Sequence, residues 1–160
     1  PFACLIVPDD KRFFHPDDMP AEIAGVCRET GQPEPADSGA YARCCFESLA
    51  LVFRRRVGEV RELTGRAVDR VHVLGGGSRN DLLNQFTADA LGIPIIAGPS
   101  EATALGNVVA QALAMRKISS LEEARRRIAE SSDLRTFQPR NTEKWKERAK
   151  QLKWMQEERA

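Results

Sequence analysis

Apolar positions recur at three- and four-residue spacing over most of this chain, a pattern that predicts helices. Met19, Ile23, Val26 and Cys27 fall on one side of a helix that Asp17 or Asp18 can cap and that runs to about residue 29. The Pro-rich connection 31–38 ends it. A long helix is expected over 39–63, with Tyr41, Cys45, Leu49, Val52, Val57, Val60 and Leu63 at helical spacing and Thr64-Gly65 as its stop signal. Two short apolar runs, 70–74 and 93–97, read instead as strands around a helix over 80–91, a β-α-β unit. Pro94 fits only the first residues or the edge of a strand. Pro99-Ser100-Glu101 opens a further helix to about Met115, and its small residues Ala102, Ala104, Gly106, Ala110, Ala112 and Ala114 predict close approach of a neighbouring element. Ser120-Leu121-Glu122-Glu123 has capping-box spacing and starts a helix to about Ser131 with Leu121, Ala124 and Ile128 facing inward. From Asn141 the pattern is helical again, with Trp145, Ala149, Leu152 and Met155 on one stripe expected to pack on the core.

Composition narrows the class. With 160 residues, 42% of them hydrophobic, the chain can bury one core, and one domain of α/β class is the expectation. A net charge of +1 supplies no broad field for nucleic acid or an anionic membrane, so neither is expected as a partner. No apolar run approaches the roughly 20 residues that cross a bilayer, and no secretory leader is evident, which points to the cytoplasm. Cys4, Cys27, Cys44 and Cys45 form no CxxC pair, and His15 and His72 are far apart, so no zinc site is expected. Buried free thiols are the simpler reading, with a Cys27 to Cys44 bridge left open. The start at Pro1 and the apolar run 2–7, which reads like the interior of a fold, suggest a fragment of something longer.

The chemistry is concentrated in Gly75-Gly76-Gly77-Ser78-Arg79-Asn80, which joins the first strand to a helix start. Glycine lets a ligand approach the main chain, and the free N–H groups of a helix start attract an anion or a polar ring edge. The run is not a dinucleotide fingerprint: it lacks the third glycine of GxGxxG, and no acidic residue ends the next strand to hold a ribose. It is not a P-loop either, since no Gly-Lys-Ser or Gly-Lys-Thr follows. A tight turn that only packs remains an alternative.

The surrounding residues point further. The glycine turn, the helix containing Gln85-Phe86-Thr87-Ala88-Asp89 and the later Glu101-Ala102-Thr103-Ala104-Leu105-Gly106 together resemble the C-terminal domain of the FGGY carbohydrate kinases. The resemblance extends over roughly residues 1–140. Arg12-Phe13-Phe14-His15-Pro16, Cys27-Arg28-Glu29-Thr30, the stretch 42–51 and Ile96-Ala97-Gly98-Pro99 favour a branch whose substrate would be the ketose L-rhamnulose over those acting on xylulose, glycerol or fucose.

That resemblance implies part of an actin-like, ribonuclease-H-like ATPase, helix-rich with a short β-α-β unit. In such kinases two domains close over ATP and a sugar, ATP phosphorylates a sugar hydroxyl with Mg²⁺ neutralising phosphate charge, and an aspartate takes the proton. Gly76 matches the family glycine that contacts ATP, and Asn80 matches a position that reaches the adenine, where its amide can donate to and accept from a purine edge. Gly75, Gly77 and Ser78 would shape the turn. Arg79 reads as solvated, Asp81 as a helix-stabilising first-turn carboxylate, and Asp89, Glu101 and His72 as structural. The resemblance also implies that the chain is part of the C-terminal nucleotide-binding domain. The sugar-binding domain, the start of the C-terminal domain and the catalytic aspartate then belong to the remainder of the kinase polypeptide, and the fragment is expected to be inactive alone. A noncatalytic actin-like nucleotide-binding module, or a kinase for another ketose or polyol, are the alternatives; sugar-dependent ADP release separates the first from a kinase.

Overall fold

The computed structural model describes residues 1–157, with side chains described through residue 150. Among the described residues six α-helices, α1 (Met19–Glu29), α2 (Ser38–Thr64), α3 (Asp81–Leu91), α4 (Ala102–Ala114), α5 (Leu121–Ser131) and α6 (Thr142–Glu157), accompany three short strands, β1 (Val71–Val73), β2 (Ile95–Ala97) and β3 (Arg135–Phe137). Local chemistry sets most boundaries. Asp18, Asp37, Asn80 and Ser120 each accept a backbone N–H three residues on and so cap α1, α2, α3 and α5. Gly65 and Gly92 end α2 and α3 in the left-handed region. The capping box of α5 is shifted by one residue: the Glu123 carboxylate accepts from the N–H and hydroxyl of Ser119, not from Ser120.

β1 and β2 run parallel, Val71 opposite Ile95 and Val73 opposite Ala97, with α3 as the crossover, as the β-α-β pattern predicts. The sequence pattern missed β3, which pairs antiparallel with β2, Phe137 opposite Ile95 and Arg135 opposite Ala97. The result is a small mixed sheet in the order β1-β2-β3.

The core lies between α1, α2, α3, α6 and the N-terminal segment. Ile23, Val26 and Cys27 of α1, Cys44 and Leu51 of α2, and Phe86 and Leu91 of α3 are buried in it. Trp145 of α6 sits edge-on to Phe2, ring centroids 4.7 Å apart, and lies 5.4 Å from Phe86. Ala149 packs beside it, while the side chains of Leu152 and Met155 lie outside the described residues.

Residues Cys4, Leu5, Ile6 and Val7 are buried without belonging to a strand. Their backbone must find other partners, because a buried N–H or C=O left unpaired is costly. Gln32 accepts from the Leu5 N–H and donates to its carbonyl, and the Ser48 hydroxyl accepts from the Ile6 N–H at 3.0 Å. Glu47 accepts from the Phe2 N–H and from Arg43. This explains why Glu47 and Ser48, polar residues, are almost fully buried on α2.

Three inward assignments fail. Val60 and Leu63, assigned to the apolar stripe of α2, are exposed, because the buried face is centred on Cys44, Glu47, Ser48 and Leu51 and the last turns run past the core. Leu121 is exposed while Ala124, one turn on, carries the contact of α5. None of α4 is buried among the described residues, and its small residues Ala102 and Gly106 line an open groove against α5 instead of a closely packed seam. No helix among the described residues is long and apolar enough to cross a membrane.

Candidate functional site

The glycine turn leaves the end of β1 and is anchored to the end of β2. Gly98 N–H donates to Val73 C=O at 2.9 Å, and Gly75 N–H donates to Pro99 C=O at 3.1 Å. Gly75 has φ 74° and ψ −159°, a conformation that L residues rarely adopt, so a glycine is required there. The next residues do not enter α3 directly. Gly76–Arg79 forms one 3₁₀ turn, in which the Ser78 N–H and hydroxyl both donate to Gly75 C=O, at 3.0 and 2.7 Å. Ser78 therefore faces inward and shapes the turn. Asn80 then caps α3, its Oδ1 accepting from Leu83 N–H at 3.0 Å. That engages the amide oxygen in the helix cap.

Gly76 differs from Gly75. Its φ lies outside the left-handed region, and a Cβ built on it meets nothing within 4 Å. Neither backbone conformation nor packing in this chain requires glycine at position 76.

Two residues that sequence reasoning missed hold the turn by its carbonyls. Asn84, buried in α3, donates to Ser78 C=O at 3.0 Å and to Gly77 C=O at 3.4 Å. Arg135, from β3, donates through Nη2 to Ser78 C=O at 2.7 Å and pairs through Nη1 with the Asp81 carboxylate. The one available signal for Asn84 was a polar residue one helical turn after the cap; nothing in the sequence linked Arg135 to a turn more than fifty residues earlier.

A cleft of about 390 Å³ opens beside the turn, lined by Ser78, Arg79, Ser100, Glu101, Asp133 and Arg135 among others. Its charges balance, two arginines against two carboxylates. Arg79 reaches across its mouth to Ser100 Oγ at 3.2 Å and Glu101 at 3.3 Å, with both charged side chains about 70% exposed. The solvated reading of Arg79 fits this geometry, since an ion pair so exposed contributes little. A second groove of about 520 Å³ has largely apolar walls, including Leu74, Ala102, Val109 and Ile128, and shares Gly98, Pro99 and Leu105 with the first. Asp81 lies in the first turn of α3, as expected, and is also the carboxylate of the Arg135 pair. Asp89 is structural: buried, it accepts from Gln85 and from Arg140 N–H at 2.7 Å. Among the described residues no group of His, Cys, Asp and Glu is placed to hold a metal ion.

The four cysteines are free and stand apart from the turn in sequence and in the fold. Burial, with contact to Cys4, pushes the Cys27 thiol up to about 12, and the same causes raise Cys44; burial also raises Cys45. None of these three is poised as a nucleophile.

Residues 1–115 match the FGGY family of carbohydrate kinases, C-terminal domain. The chain belongs to the FGGY carbohydrate kinase family. Its helix-rich α/β architecture is accordingly part of an actin-like ATPase fold, as the sequence resemblance implied. This FGGY domain is 50% identical over 145 residues to a rhamnulokinase of Bacteroides thetaiotaomicron, an alignment covering 91% of the chain and 30% of that relative. The FGGY chain thus spans about a third of the length of the curated relative it matches. The glycine turn, Asn80, Asn84 and α4 lie within the residues matched to the family; α5, β3 with Arg135, and α6 lie beyond them.

Proposed function

We propose that this chain is the nucleotide-binding part of an ATP-dependent sugar kinase that phosphorylates L-rhamnulose to L-rhamnulose 1-phosphate, a step in rhamnose degradation in the cytoplasm. In this reading the sugar-binding domain, the beginning of the C-terminal domain and the residue that accepts the hydroxyl proton belong to the remainder of a longer polypeptide. The isolated chain then has no kinase activity. The choice of sugar rests on the 50% identity to a rhamnulokinase and on the flanking motifs that favour that branch.

Gly76 carries the nucleotide reading. A glycine that the fold does not need, with open space where a side chain would be, is suited to close approach of a ligand to backbone. Gly75, Gly77 and Ser78 would set the turn, and Asn80 would offer its NH₂ to an acceptor on the purine edge. The balanced charge of the adjoining cleft suits adenosine and its nearest phosphate better than a whole triphosphate, which would call for net positive charge. Mg²⁺ would supply charge neutralisation at the phosphates. Those phosphates would be among its donors.

Gly76→Val in the full-length kinase tests the assignment. The expected result is a KM for ATP raised about tenfold or more, with the KM for sugar nearly unchanged. Equal effects on both substrates, or none, would remove Gly76 from the nucleotide site. Sugar-dependent ADP release tests the wider claim. L-Rhamnulose should stimulate release far more than other ketoses, and ATP binding without stimulation by any ketose would refute a kinase.

A further inference from the structure

We propose that Arg135 is a positioning residue for the nucleotide site, a role that rests on the reading of the glycine turn given above. The turn is rich in glycine, and glycine gives backbone the least intrinsic restraint. Besides the bonding inside the 3₁₀ turn, the Ser78 N–H and hydroxyl donate to Gly75 C=O and the Asn80 N–H donates to Gly77 C=O, while Gly75 provides no side-chain cap. These bonds close the turn on itself but do not fix its angle to α3, which contacts from outside must supply.

Arg135 grips two points at once. One arm of the guanidinium donates to Ser78 C=O at 2.7 Å, in the turn itself, and the other pairs with Asp81, the first residue of α3. The group lies 5.9 Å from the Phe137 ring on the same strand. Asn84 donates to the same Ser78 carbonyl, so both of its lone pairs are engaged, one from α3 and one from β3. The planar fork spans the junction between turn and helix; a lysine, a single point charge, cannot make both contacts in that geometry. With the junction fixed, the open side of Gly76 and the Asn80 amide keep a constant separation. Position 135 lies outside residues 1–115, so this brace is supplied by a part of the chain that the family match does not include.

The test is steady-state kinetics on the full-length kinase carrying Arg135→Ala, Arg135→Lys or Gly76→Val, with ATP and the sugar varied separately and a thermal melt on each. Arg135→Ala is expected to raise the KM for ATP about 5- to 10-fold, roughly what one hydrogen bond of ordinary net strength contributes, with kcat and the KM for sugar within about twofold. Arg135→Lys should recover only part of the loss. If Gly76→Val raises the KM for ATP and Arg135→Ala does not, the Arg135 role is overturned and the nucleotide reading stands. If neither variant changes it, both fall. If Arg135→Ala lowers kcat, raises both KM values and lowers the melting temperature together, Arg135 is structural only and the positioning role is refuted. Full recovery by lysine would overturn the requirement for a fork.

Discussion

Replacing Ser48 with alanine tests the least expected feature of the fold, the buried N-terminal segment held by side chains instead of a strand. Ser48 is fully buried, and its hydroxyl accepts from the Ile6 N–H at 3.0 Å. Alanine would leave that donor buried without its acceptor, which costs about 1–3 kcal/mol. Alanine is also the better helix former by about 0.5 kcal/mol, which offsets part of the loss. The net destabilisation is then about 0.5–2.5 kcal/mol, equivalent to roughly a 2- to 70-fold rise in local opening. Amide hydrogen exchange read at Ile6 reports this directly and does not require the whole polypeptide to unfold in one step. Ser131→Ala, an exposed change on α5, provides the control and should stay within about 0.5 kcal/mol of the parent. Unchanged exchange at Ile6 with an unchanged melt would show that Ser48 does not hold the segment.

The raised Cys27 and Cys44 thiols predict that neither is alkylated by iodoacetamide at pH 8 in the native protein, and that both react once it is denatured; mass spectrometry of the labelled peptides reads the outcome. Glu123 is held down to about 2, from an ordinary 4.5, first by the hydroxyl and N–H of Ser119 and then by Arg127. Because its folded pKa is depressed, its contribution is complete above about pH 4.5 and is lost as pH falls toward 2. Protection of the amides at the start of α5, taken relative to their intrinsic exchange rate at each pH, should therefore fall over that interval, and Glu123→Gln should flatten the response.

What was legible in the sequence was local. Asp18, one of two candidate caps, and Ser120 marked helix starts, and Gly65 marked a stop, because each signal needs only a few neighbouring residues. The β-α-β unit and the glycine turn could be read for the same reason. What escaped depends on contacts distant in sequence. Arg135–Phe137 has no alternation long enough to mark a strand and becomes one by pairing with β2. Glu47 and Ser48 run against the apolar pattern of α2, since their task is to satisfy the backbone of residues forty or more positions away. At the candidate site Gly76 and Asn80 were nominated by the family resemblance, whereas Asn84 and Arg135 emerged only when the fold brought them to one carbonyl.

The late position of β3 sets an order of events during synthesis. A chain emerging from the ribosome completes β1, the glycine turn, α3 and β2 well before residues 135–137 exist, so for that interval β2 has one edge unpaired. At about 5–20 residues per second the interval lasts a few seconds. A nascent or prematurely terminated chain ending before Arg135 would display the glycine turn with its junction to α3 unbraced and a strand edge open to other chains. Maturation of the turn thus coincides with removal of that edge, both being brought about by the arrival of the same three residues.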